Sequence, residues 1–266
     1  MISQNLQSIW SKLPSGVQLV AVSKFHPVER LVEAYNAGQR IFAESRPQEL
    51  AAKVPLMPAD VKWHYIGHLQ TNKLKLVLPH VSLVQSVDSL HLLVAINAWG
   101  EANGRVIDVL LELHLGAEET KQGFTEDEIV ALCCEGVPSE TVGCADPSLK
   151  GPSRSGMLFL PPVVPQGTSA LTGRSRGWLR VSEGTPSQLS NVRIRGLMGM
   201  ATNTEDMAVV ERDFERIERL YNTIKASGLE GFDHLSIGMS GDWPVAVRHG
   251  ATMVRIGTDI FGPREY

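Results

Sequence analysis

Lys24 follows directly on an apolar, β-branched run, Leu19 to Val22, with Ser23 between. An amine at the end of such a strand stands in a partly desolvated mouth. There the neutral form is favoured and can attack a carbonyl to give a Schiff base. A solvated lysine at a strand end has the same local sequence, so the reading needs support elsewhere in the chain. Two segments near the C-terminus offer it. The segment LSIGMSGD, Leu235 to Asp242, places Gly238, Ser240 and Gly241 at the end of one apolar run, and MVRIGT, Met253 to Thr258, places Gly257 and Thr258 at the end of the next. Hydroxyls and backbone N–H groups that glycine leaves approachable, next to a helix start, make a phosphate site. Helix capping uses the same residue types.

Arg255 lies inside the last of these runs, two residues before Gly257, and strand alternation aims it inward. A buried guanidinium needs an acceptor. The ring nitrogen of a phosphorylated pyridine would serve, and would stay unprotonated beside a group that keeps its own proton. A carboxylate such as Glu44 or Glu112 is the structural alternative. A Schiff-base lysine, a phosphate cradle and an arginine for a ring nitrogen together point to pyridoxal 5'-phosphate (PLP), held on Lys24. A Schiff-base aldolase, in which Lys24 attacks a sugar phosphate and no cofactor is present, is the alternative from another class.

Other chemistry-bearing residues read more simply. His64 and His68 straddle a strand end rather than share a helical face, and no carboxylate or cysteine spacing accompanies them, so they read as mouth-lining or core hydrogen-bonding groups and no metal is expected. Cys133, Cys134 and Cys144 lack CxxC spacing and read as incidental thiols. Met198, Met200 and Met239 fill core or mouth gaps, and Trp243 packs the helix after the seventh strand.

These residues need a scaffold that brings strand ends together. Strand patterns fall at Val17–Ser23, Arg40–Glu44, Lys62–Gly67, Ser82–Ser86, Val106–His114, Ile194–Met200, His234–Gly238 and Thr252–Gly257, with helical patterns between them, including Val28–Gly38 and the charged amphipathic run Asp206–Ser227. Alternation repeated eight times predicts an α/β fold, a (β/α)8 TIM barrel of parallel strands, whose active face lies at the strands' carboxyl ends. The 266 residues read as one domain, 1–266, interrupted at about 135–187 by a Pro/Gly/Ser-rich insertion that reads as a disordered loop without function, with a small partner-binding flap as the alternative. A formal net charge of -4 gives no basic footprint for nucleic acid. The N-terminus lacks a signal-peptide pattern and no apolar run is long enough to span a bilayer, so a cytoplasmic protein without a membrane partner is expected.

Several segments, taken in order, resemble one family. AVSK at Ala21–Lys24, FAESRPQEL at Phe42–Leu50, WHYIGHLQTNK at Trp63–Lys73, SVDS at Ser86–Ser89, KQGF at Lys121–Phe124, GLMGMA at Gly196–Ala201, LSIGMSGDWPVAV at Leu235–Val247 and MVRIGTDIFG at Met253–Gly262 are similar to the YggS/PROSC-type PLP homeostasis proteins, relatives of the alanine racemase barrel of fold type III. The resemblance implies that Lys24 carries the Schiff base, that Arg255 faces the pyridine nitrogen, and that Ser240, Gly257 and Thr258 contact the phosphate, with Ser236 and Met239 as further neighbours. Two departures lie near the expected mouth: many relatives have FGEN where this chain has Phe42-Ala-Glu-Ser45, and Asn where it has His114.

The family is thought to hold and deliver PLP in vitamin B6 homeostasis without an established reaction, which implies PLP-dependent apo-enzymes as recipients. The alternative is a PLP-dependent racemase or lyase of weak activity, using Lys24 as base. The racemase relatives add a second domain and a tyrosine acid across a dimer, whereas this chain stops at Tyr266, so proton chemistry would be one-sided; small size and the lack of an apolar exposed helix make a monomer the expectation.

Overall fold

The computed structural model describes residues 1–116, 123–134 and 189–263. Eight parallel strands close into a barrel in chain order: β1 (Gln18–Val22), β2 (Ile41–Glu44), β3 (Lys62–Tyr65), β4 (Val81–Val87), β5 (Ile107–Leu113), β6 (Val192–Gly199), β7 (His234–Ser236) and β8 (Met253–Ile256), with β8 pairing back onto β1. Each strand read from the sequence is present within two residues at either end. The expected insertion lies outside the described residues.

The helices form where apolar residues recur on one face. In α7 (Met207–Ala226) the buried residues Val210, Phe214, Ile217, Tyr221 and Ile224 recur three or four apart, and the Asp206 side chain caps the helix by accepting from the Ala208 amide at 2.9 Å. The same logic places α2 (Val28–Asn36) and α5 (Leu90–Ala102) against the barrel wall, while α1 (Ile2–Trp10) lays Ile2, Leu6 and Ile9 into the core ahead of the first strand.

Strand alternation divides the interior. One parity faces the helices and forms the larger core, with Ala21, Phe42, Val109 and Val254 among its residues. The other faces inward, where Val20, Ala43, Leu83, Leu110, Met198 and Met253 pack as a separate plug. Gly196 marks a register shift between β5 and β6. Its φ of +151° is glycine territory, and a Cβ there would sit 1.7 Å from the His234 carbonyl oxygen. Among the described residues no helix is long and apolar enough to cross a membrane.

Candidate functional site

The inward parity that puts Val20 in the plug carries Val22 and Lys24 to the carboxyl-end mouth. There, a cavity of about 230 Å³ opens between the ends of β1, β3, β6, β7 and β8. Lys24, His26 and Arg255 bring polar nitrogen to its wall, Ser240 and Thr258 bring hydroxyls, and Val22, Ile66, Met198, Met200 and Met239 supply apolar surface. Gly241 and Gly257 line it as bare backbone. A Cβ on Gly241 would meet nothing within 4 Å, whereas one on Gly257 would sit 3.2 Å from the Val22 carbonyl oxygen. Of the residues expected at the site, Lys24, Arg255, Ser240, Gly257, Thr258 and Met239 therefore share one cavity.

Ser236 is placed differently. It is fully buried one layer below, where its hydroxyl links Arg255 to the barrel's polar interior. The Arg255 Nη1 donates to the Ser236 carbonyl and hydroxyl oxygens, both at 2.7 Å, and Nη2 donates to the Gly199 carbonyl at 2.9 Å. The Ser236 hydroxyl donates in turn to Gln85 Oε1 at 2.7 Å, and the Gln85 amide nitrogen lies 2.8 Å from His64 Nδ1. With Oε1 already accepting, the Gln85 amide must donate to His64, so neutral His64 carries its proton on Nε2. Burial holds the His64 pKa down at about 3, helped by the charges of His234 and Lys62. A one-way chain of donors thus runs from Arg255 through Ser236 and Gln85 to His64.

No carboxylate bonds Arg255 directly among the described residues; Glu44 instead takes Lys53 at 2.7 Å, and Glu112 acts on Arg255 only as a nearby charge. Burial lowers the Arg255 pKa to about 10 against the pull of Glu112 and Asp242, so it remains a cation at neutral pH. Burial also raises the Glu112 carboxyl to about 7, with Asp88 pushing the same way and Arg255 and His68 opposing. His68 Nδ1 pairs with Asp88 at 2.7 Å. The two histidines of WHYIGH therefore part company, one into the core chain and one onto a carboxylate at the rim, and among the described residues no group of three or more ligating side chains could hold a metal.

Gln85 was not expected here, and Glu112, expected only as an alternative partner of Arg255, is instead a carboxyl that makes no direct bond to it. Both were marked: each is a large polar residue at an inward position in the carboxyl half of a mostly apolar strand, which a folded chain tolerates only with a partner. Of the residues read as gap-fillers, Met198 is in the plug, but Met200 and Met239 stand 44% and 40% exposed at the rim.

Comparison with known proteins bears on this cavity. The model of the alanine racemase N-terminal domain matches residues 1–141. A pyridoxal phosphate homeostasis protein of Vibrio alginolyticus is 31% identical over 100% of this chain and 98% of its own length, and one of Schizosaccharomyces pombe is 33% identical over 94% and 85%. The chain belongs to the pyridoxal phosphate homeostasis family. Among solved structures, PipY of Synechococcus elongatus with PLP bound is 31% identical, with a TM-score of 0.73 covering 98% of this chain and all of that one. The alanine racemase match ends in the stretch after β5 and so holds Lys24, His64, Gln85 and Glu112. The homeostasis family relatives extend the likeness over Ser236, Ser240 and Arg255.

Proposed function

We propose that the chain binds PLP in the mouth cavity, attached through Lys24, and serves to maintain the cellular supply of that cofactor. The observation that carries this reading is the convergence of the Lys24 amine, the Arg255 guanidinium and two glycine- and hydroxyl-bearing loops on one cavity of about 230 Å³. That is slightly below the roughly 300 Å³ at which pockets for drug-sized ligands begin, which suits a single phosphorylated ring.

The donor set fits the group. Lys24 offers the nucleophile for an aldehyde. Arg255, still protonated at neutral pH and braced by Ser236 and Gly199, offers a donor to a ring nitrogen that must then accept. Ser240, Gly241, Gly257 and Thr258 offer hydroxyls and close backbone approach to a phosphate, and Met198, Met200 and Met239 would give a ring apolar surface to pack on. When bound, PLP supplies an aldehyde for covalent attachment and an electron-withdrawing ring. An arginine that keeps its proton leaves that ring a weak electron sink, which favours holding over turnover. Ser236 acts through Arg255 rather than on the cofactor. The same reading makes the chain a cytoplasmic, monomeric single-domain carrier whose recipients are PLP-dependent apo-enzymes.

The test is the visible spectrum of the full chain titrated with PLP, before and after borohydride, beside Lys24→Ala. The parent should develop an absorbance band that borohydride converts into a stable adduct, and the variant should not. A parent without the band, or a variant that keeps it, refutes the assignment.

A further inference from the structure

Among the described residues, Phe25 is the one non-glycine residue with a positive φ, +68°. A left-handed phenylalanine is costly unless its surroundings impose it, and it sits immediately after Lys24. What imposes it comes from Arg46 and from Glu49 of α3 (Pro47–Lys53), both in the FAESRPQEL segment that the cofactor reading leaves without a role. Glu49 Oε1 accepts from the Phe25 amide at 2.7 Å, and the Arg46 guanidinium lies 4.4 Å over the Phe25 ring. Glu49 is itself fixed, because the same oxygen accepts from Lys53 Nζ at 2.7 Å.

Lys53 is buried, which an ammonium tolerates only when fully paired. Its remaining two protons go to Glu44 Oε1 at 2.7 Å and to the Ser23 carbonyl at 2.9 Å. The residues on either side of Lys24 are therefore tied to the buried Lys53 ammonium, Ser23 directly through its carbonyl and Phe25 through its amide by way of the half-buried Glu49.

We infer that Glu49, braced by Lys53, is a positioning residue: it holds Phe25 left-handed and so sets where Lys24 presents its amine to the cavity. This rests on the cofactor reading above. Neither Lys53 nor Glu49 is among the residues that line the cavity, and both bond the backbone flanking Lys24.

The experiment compares the parent with Glu49→Ala, Glu49→Gln, Phe25→Gly and the double variant Phe25→Gly/Glu49→Ala. Two readouts are taken: hydrogen exchange of the residue-25 amide in the protein as purified, and the rate at which borohydride traps added PLP on Lys24. Glu49→Ala should raise exchange at that amide and slow trapping about tenfold, the size of the left-handed penalty that is no longer held. Glu49→Gln keeps an acceptor oxygen and should stay within about threefold of the parent. The double variant should recover the parental trapping rate, because glycine adopts this φ without cost.

A global loss of stability would not be repaired by Phe25→Gly, so that rescue separates positioning from folding. Should Glu49→Ala not fold, the comparison of Glu49→Gln and Phe25→Gly with the parent decides: slow trapping in Phe25→Gly alone overturns the inference. Parental trapping in Glu49→Ala, or failure of the double variant to recover, also overturns it. A parent that takes up no PLP refutes the cofactor reading instead, and the exchange of the residue-25 amide then decides the Glu49 tether by itself.

Discussion

His64 ends the donor chain that steadies Arg255, and it can do so only while neutral, because a protonated imidazole has no acceptor to offer Gln85. Its pKa of about 3 in the folded chain lies well below the ordinary 6.5. For a depressed histidine the stabilisation is fully present above about 6.5 and is lost as pH falls toward 3, since the unfolded chain takes the proton first. Between pH 7 and pH 4.5 that amounts to about two pH units of linkage, roughly 3 kcal/mol.

Glu112 has the opposite sign. Its folded value of about 7, against 4.5, adds stability over the same interval as pH falls, so the two nearly cancel in the parent and its own pH profile hides both. His64→Asn exposes the histidine, because the Asn Oδ1 replaces the Nδ1 acceptor without titrating. The variant should melt a few degrees below the parent at pH 7, from a void costing about 1 kcal/mol. At pH 4.5 the order should reverse, because a swing of roughly 3 kcal/mol moves the midpoint by about 6–12 °C in a chain of this size. Thermal melts of both proteins at four pH values between 7 and 4.5 measure this. Parallel curves would refute the claim that His64 is buried neutral at the end of the chain.

Glu112→Gln should show the mirror image, with a stabilisation of about 3 kcal/mol at pH 8 that nearly vanishes at pH 4.5, since a carboxyl with a raised pKa loses stability as pH rises through it; urea unfolding at both values checks it, and no gain at pH 8 counts against the raised value. Arg255→Lys cannot serve Ser236, Gly199 and a ring nitrogen together from one ammonium, so PLP affinity in a spectral titration should fall about 10- to 100-fold, and an unchanged affinity would remove Arg255 from the site. Gly196→Ala drives a Cβ against the His234 carbonyl at a positive φ, so it should cost at least ~3 kcal/mol in urea unfolding, and a loss under ~1 kcal/mol would contradict the close β6–β7 approach.

The barrel was legible in the sequence because eight short apolar runs alternate with helical patterns, and alternation within β1 and β8 turns Lys24 and Arg255 to one side. Ser240 and Thr258 were legible as strand-end hydroxyls beside glycines. The role of Ser236 was not, because whether an inward serine meets a ligand or a neighbouring guanidinium depends on depth in the barrel, and one residue of shear decides that. Gln85 and His64 were missed as partners for a related reason: they meet each other and Ser236 across strands β3, β4 and β7, contacts that no local spacing encodes. The left-handed Phe25 is not written in its own residue type, which disfavours that conformation. It follows from Glu49, which lies in the next βα unit.

The proposed function stands or falls with Lys24 as the point of attachment. The most direct measurement is peptide mass mapping of the full chain after incubation with PLP, borohydride reduction and proteolysis. One reduced pyridoxyl-phosphate label is expected, on the peptide containing Lys24; a label on a different lysine with Lys24 unmodified, or no covalent label, would rule Lys24 out.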